Sequence, residues 1–283
     1  MNLAIWILQF IVSYATGEFF DILDLFGIRQ QKGAAYFYTG TFFGITLFRP
    51  TGLFNEPGSY AMVIIQLLIL DFFMSNKKFD KIHAIALFTL FLSLSTFSIL
   101  LGFLFVVAYC FTQPKKTKLY AIMLLFMGLV SCFLIYYISI RFGESANSAI
   151  SGLDFRRETI QYWMDLPIGD KLFGHEFTFH TIMSNRTIYQ VYIEDLSFLF
   201  YMLFYTGIIF TCLFIFFLYY TTKSPGNFLF ISIILFSKAY IGTYFLWTTI
   251  VFLYIICHQK KLSVSEPADE KDSETNDQEM EKV

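Results

Sequence analysis

Charge is scarce in this chain. Only 15% of its 283 residues are Asp, Glu, Lys or Arg, while 56% are hydrophobic and 20% aromatic, with 37 Phe. A soluble domain of this length needs more polar surface than that. Cysteine is also sparse. Cys110, Cys132, Cys212 and Cys257 lie far apart in apolar runs. They show no metal-ligand or disulfide-framework spacing and read as packing residues. The first apolar run lacks a basic start and a cleavage site, so it reads as a membrane helix and not a signal peptide. No internal repeat is visible, which counts against transporter architectures built from repeats.

What the chain has is long apolar runs. They cover roughly 3–16, 59–75, 82–112, 119–140, 195–220 and 228–257. Several approach the ~20 residues that a bilayer requires. The chain is expected to be an all-α multipass membrane protein. Lysines crowd the short gaps: Lys77, Lys78 and Lys81, then Lys115, Lys116 and Lys118, then Lys223, then Lys260 and Lys261. Lysine beside an apolar run marks the cytoplasmic side. If consecutive clusters share one side, the chain crosses an even number of times between them. The run 82–112 then becomes a hairpin turning at Ser93–Ser98, and 228–257 another turning near Lys238–Gly242. That gives about eight crossings within a membrane domain of 1–261, with two long external segments, 17–58 and 141–194. A long tilted single helix is the alternative for each hairpin. Residues 262–283 carry eight acids and two lysines with almost no apolar content. They are expected to be a disordered cytoplasmic tail.

All six arginines fall in the two external segments: Arg29, Arg49, Arg141, Arg156, Arg157 and Arg186. Of the fourteen lysines only Lys32 and Lys171 join them. Arginine's planar, permanently charged fork suits two-point binding of phosphate oxygens. The densest signal is Arg49-Pro50-Thr51-Gly52-Leu53-Phe54-Asn55-Glu56-Pro57-Gly58. Two prolines and two glycines make it a fixed loop, carrying a cation and an anion seven residues apart. In the same segment Phe19, Ile22, Leu23 and Phe26 have helical spacing, which predicts a short helix lying on the membrane surface. In the second segment, Ser151 and Asp154 are start signals and Pro167 a stop, predicting a helix over 155–166. Neighbouring residues on a helix point about 100° apart, so Arg156 and Arg157 cannot both face one site. Asp71 and Lys238 are charges inside apolar runs, where both are read as reaching an interface.

The Arg49–Gly58 stretch resembles the lipid-linked polysaccharide polymerases of the Wzy-type O-antigen, exopolysaccharide and capsule group. There an Arg-x-x-Gly-x-Phe-x-Glu-Pro-Gly-like sequence precedes a membrane helix. Leu94-Ser95-Thr96-Phe97-Ser98 looks like the serine/threonine turn of their next hairpin. Arg156 or Arg157, then Pro167-Ile168-Gly169 and Leu172-Phe173-Gly174-His175, look like their large external loop. Asp195-Leu196-Ser197-Phe198-Leu199, leading to Thr206-Gly207-Ile208-Ile209, looks like the helix after it. The resemblance covers about residues 40–255. Such polymerases usually carry more membrane helices ahead of the first motif, where one run stands here, so a short form or a fragment is expected. The related O-antigen ligases typically place His-Asn where this chain has Glu194-Asp195.

The resemblance implies a reaction. A glycan on undecaprenyl pyrophosphate passes to a sugar hydroxyl of another lipid-linked repeat. Negative charge building on the leaving pyrophosphate must be stabilised, and the acceptor hydroxyl oriented and deprotonated. Arg49 with Arg156 or Arg157, and Arg186 as a third candidate, would bind the pyrophosphate. Glu56 is the first candidate base, followed by Asp195, Glu194 and His180; a lone loop histidine such as His175 reads as solvated. Neither external segment contains Asp-x-Asp, so no metal and no cofactor are expected. The expected partners are lipid-linked glycans, membrane lipids and a chain-length regulator, with no nucleic acid. The rival classes are a ligase, a lipid-glycan flippase and a non-catalytic assembly partner.

Overall fold

The computed structural model describes residues 1–27, 38–42, 45–112, 157–175, 196–222, 224–238 and 243–262, with isolated helical positions at 128, 132, 135 and 136. The expected run 119–140 apart from those positions, and the tail beyond Leu262, lie outside the described residues. Among the described residues the protein is mostly helical. Its helices are α1 (Asn2–Thr16), α2 (Pro57–Met74), α3 (Lys81–Leu92), α4 (Thr96–Thr112), α5 (157–165), α6 (Ile168–Phe173), α7 (Phe198–Thr222), α8 (Pro225–Leu235) and α9 (Tyr244–Leu262).

Helix α2 sits at the centre, against α3, α4, α8 and α9. Pro57 occupies its first turn, where a missing N–H costs nothing. Its sequence is apolar on nearly every face, as suits a helix surrounded by others. Phe72 anchors an aromatic cluster. Its ring lies 5.0 Å from Phe230 of α8, and 5.7 Å from both Phe105 and Tyr109 of α4. Such ring pairs add about 0.5–1.5 kcal/mol each beyond the area they bury.

Among the described residues two helices, α2 with 18 residues and α7 with 25, are long and apolar enough to cross a membrane. The run 82–112 divides into α3 and α4, with its turn at Ser93–Ser95. Leu94 takes φ 49 there, and the Ser93 hydroxyl donates to Leu90 O at 2.8 Å. The run 228–257 divides likewise, α8 ending at Leu235 and α9 starting at Tyr244. A surface helix over residues 19–26 does not form. A single 3₁₀ turn, Asp24–Phe26, stands in its place. The backbone at Phe20 is bonded to side chains instead: Ser13 Oγ accepts its N–H at 2.9 Å, and Gln9 Nε2 donates to its carbonyl at 2.9 Å. Ile22 and Leu23 are consequently buried in protein. Strands β1 (Tyr38–Phe42) and β2 (Ile45–Phe48) form an antiparallel pair that leads into the Arg49 loop. The aromatic, Gly-spaced sequence did not announce it.

Helix α7 is broken at Gly207, where φ 75 and ψ 175 interrupt the helical backbone. The α6 C-terminus packs into the break. A Cβ on Gly207 would lie 2.4 Å from Leu172 O and from Gly174 N, and one on Gly174 would lie 2.2 Å from Tyr205 O. The two glycines let backbone meet backbone, and His175 N donates to Phe204 O at 3.0 Å. Leu166, Tyr201 and Phe204 form a small core beneath. Gly207→Ala should therefore destabilise the protein by about 1–3 kcal/mol, the cost of strain and displaced backbone. Gly169→Ala, where a Cβ meets nothing within 4 Å, should stay within about 0.5 kcal/mol. Thermal unfolding in detergent checks both; equal midpoints would refute the interlock.

Candidate anion and acid–base site

The Arg49–Gly58 loop lies alongside α1, whose polar side chains hold its backbone. Asn2, Trp6, Gln9 and Ser13 recur at spacings of four, three and four, which puts them on one helix face. Trp6 Nε1 donates to Pro50 O at 3.0 Å. Gln9 Oε1 accepts the N–H groups of Thr51 and Gly52, both at 2.8 Å. Asn2 Oδ1 accepts Leu53 N–H at 3.0 Å, and the Tyr14 hydroxyl accepts that of Phe48 at 3.2 Å. Gly52 takes φ 62, and a Cβ there would sit 2.6 Å from Asn2 Oδ1. Within the loop Phe54 N–H returns to Thr51 O at 3.2 Å. These bonds hold the loop backbone over residues 50–54, and both Arg49 and Thr51 are buried.

Glu56 is the N-cap residue of α2. Its Oε1 lies 3.4 Å from Ser59 Oγ and 3.7 Å from Lys238 Nζ. The side chains of Lys238 and Glu56 are only 13% and 18% exposed, so the pair is shielded from most solvent screening. Lys238 Nζ also lies 6.0 Å from the centre of the Phe97 ring. Lys238, read from sequence as pointing to headgroups, instead folds onto the loop. The α3–α4 turn joins the same end through Ser98 Oγ, which donates to Pro57 O at 3.3 Å. The start of α7 is tied next to Lys238, where Phe198 N–H donates to Ser237 O at 2.8 Å.

A second cluster sits where α5 and α6 meet the α7 break. His175 Nδ1 is 3.2 Å from Asp170 Oδ2, and its Nε2 is 3.3 Å from the Tyr162 hydroxyl. The Phe204 ring stands edge-on to the imidazole at 6.0 Å. The His175 side chain is 25% exposed, so it is held on both nitrogens yet reachable from solvent. A histidine oriented by a carboxylate is a recurrent acid–base arrangement. Its signal in the sequence was Asp170 five residues before His175, legible only with the α6 turn in place.

Among the other sequence candidates, Arg157 lies exposed at the start of α5. Arg156, Arg186, His180, Glu194 and Asp195 lie outside the described residues. Residues 157–165 are helical, within the helix expected over 155–166, and Pro167 separates them from α6. No family model matches the chain, and no similar curated protein or solved structure was found.

The α1 stripe makes a direct prediction. Gln9→Leu leaves the Thr51 and Gly52 N–H groups buried without their acceptor, at a cost of about 2–4 kcal/mol. The thermal midpoint in detergent should fall accordingly. A midpoint equal to that of the wild type would show that the loop does not depend on Gln9.

Proposed function

We propose that the protein is a polysaccharide polymerase of a bacterial plasma membrane. It would transfer a polyprenyl-pyrophosphate-linked glycan onto a lipid-linked repeat at the external face. The observation that carries this reading is the Arg49 loop: a buried arginine on a backbone held by α1, in a stretch that ends at Glu56 with its Lys238 contact. A pre-organised cation aimed at developing negative charge is worth far more in a water-poor site than in water. We propose the topology with it: about eight crossings, the lysine clusters cytoplasmic, and 17–58 and 141–194 external.

In the proposed reaction the acceptor hydroxyl oxygen attacks the anomeric carbon of the donor glycan. The bond from that carbon to the pyrophosphate oxygen breaks, and the pyrophosphate leaves with the electron pair. Arg49, joined by Arg156, Arg157 or Arg186 from the second segment, stabilises that charge. The acceptor proton passes to a base. Glu56 is the first candidate, with Asp195 and His180 as the others from sequence. The Asp170–His175 pair joins them on geometric grounds. No cofactor enters this scheme, and a chain-length regulator is the expected protein partner.

One observation favours a second reading. Discontinuous helices are common in transporters, and α7 is broken at Gly207. A lipid-glycan flippase is therefore the rival, and ligase-type transfer is the nearer enzymatic alternative. Arg49→Lys keeps the charge and loses the two-point fork. It should cut polymer by about 10²-fold, the scale of one lost transition-state donor, at normal protein level and membrane insertion. Polymer of wild-type length and amount would refute the arginine's role. Glu56→Gln and His175→Gln, compared in the same host, separate the two described base candidates: the true base is the one whose loss removes polymer while the chain stays as stable as wild type.

A further inference from the structure

At the lysine-rich end of the bundle two carboxylates converge on one imidazole. Asp71 lies in the last turn of α2, Asp80 is the N-cap of α3, and His83 is the third residue of α3. A tight turn between the helices brings them together, with Asn76 and Lys77 at φ 56 and 59. The His83 side chain is fully buried, whereas those of Asp71 and Asp80 are each 50% exposed. Phe72 and Phe79 wall the imidazole at centroid distances of 5.8 and 5.6 Å.

The two nitrogens of His83 have different surroundings. Asp80 Oδ1 is 2.5 Å from Nδ1 and also accepts the N–H groups of Ile82 and His83. The Asp80 N–H lies farther from Nδ1, at 3.3 Å. The carboxylate is the closer partner, and an Nδ1–H donated to it leaves the lone pair on Nε2. Nε2 is buried without a hydrogen-bond partner. The nearest acidic atom to it is Asp71 Oδ2, at 3.4 Å but outside hydrogen-bond geometry. Two electron-pair donors thus face one another across a short gap.

A cation resolves that juxtaposition. Two ligands on a tetrahedral ion with bonds of about 2.1 Å stand about 3.4 Å apart. The three side chains offer ligand atoms within 4.8 Å of one another. A nitrogen–oxygen donor set suits zinc and similar transition metals, whereas magnesium and calcium take oxygen. We propose that Asp71 and His83 bind a zinc-type divalent ion at this end of the bundle. His83 Nε2 and the Asp71 carboxylate are the direct ligands, Asp80 orients the ring through Nδ1–H, and water completes the shell from the exposed side. A carboxylate behind a ligating histidine is the usual supporting arrangement, and the two phenylalanines close the other side. The inference is independent of the proposed glycan chemistry.

The test uses the full chain in detergent, stripped with chelator and titrated with zinc, with bound metal read by elemental analysis and competition with a chromophoric chelator. One zinc per chain is expected, undisturbed by millimolar magnesium. Asp71→Asn, at a half-exposed position, should weaken binding at least about 10-fold, and Asp80→Asn by about 10–100-fold. His258→Gln should change nothing. Gel filtration and thermal unfolding accompany each variant, so that a folding defect is seen as one. Absence of stoichiometric zinc in the wild type, or equal affinity in folded Asp71→Asn, would overturn the site.

Discussion

Four polar side chains on an otherwise apolar helix hold the candidate site in shape. Asn2, Trp6, Gln9 and Ser13 of α1 spend their hydrogen bonds on backbone groups of residues 20 and 50–53. An irregular buried loop is expensive unless its N–H and C=O groups find partners. The α1 stripe supplies them, and so keeps a chain segment rich in Pro and Gly fixed in one conformation. The burial of Arg49 follows from that, because a rigid loop can hold a guanidinium inside protein without letting it swing to solvent.

The rest of the bundle aims other groups at the same end. Pro57 starts α2 immediately after Glu56, the α3–α4 turn brings Ser98 onto Pro57 O, and the end of α8 delivers Lys238 to Glu56. The Gly174–Gly207 contact then locks α6 onto α7, which sets His175 between Asp170 and Tyr162. Each group is positioned by a helix end or a helix break. That is where a helical protein has unpaired backbone and spare room for polar side chains. The opposite end follows the same logic, with the α2–α3 turn placing His83 between Asp71 and Asp80.

The features legible in the sequence were those carried by local composition. The apolar runs, a turn within Ser93–Ser98, a break ahead of Tyr244 and the fixed character of the Arg49 loop all rest on Pro, Gly, Ser or hydrophobic length. What escaped was pairing across distance. Glu56 read as a candidate base in the Arg49 loop, and its contact with Lys238 requires α8 to be in place. Gly207 lies in a long apolar run, where a glycine costs a helix only about 1 kcal/mol and so marks no break. Its positive φ comes from the α6 backbone pressed against it. Residues 19–26 had the period of a surface helix, but side chains of α1 took the backbone bonds that the helix needed. His175 read as a solvated loop residue because Asp170 and Tyr162 approach it only through the folds of α5 and α6.

In the proposed function the Arg49 loop serves glycan polymerisation. The most direct measurement is the surface glycan of a host lacking this protein, with and without the 283-residue chain restored, resolved by size. The account predicts single-repeat glycan in the deletion strain and a ladder of longer chains on restoration. Lipid-linked repeats trapped on the cytoplasmic face would contradict it in favour of a flippase, and full-length polymer stranded on its lipid carrier would contradict it in favour of a ligase.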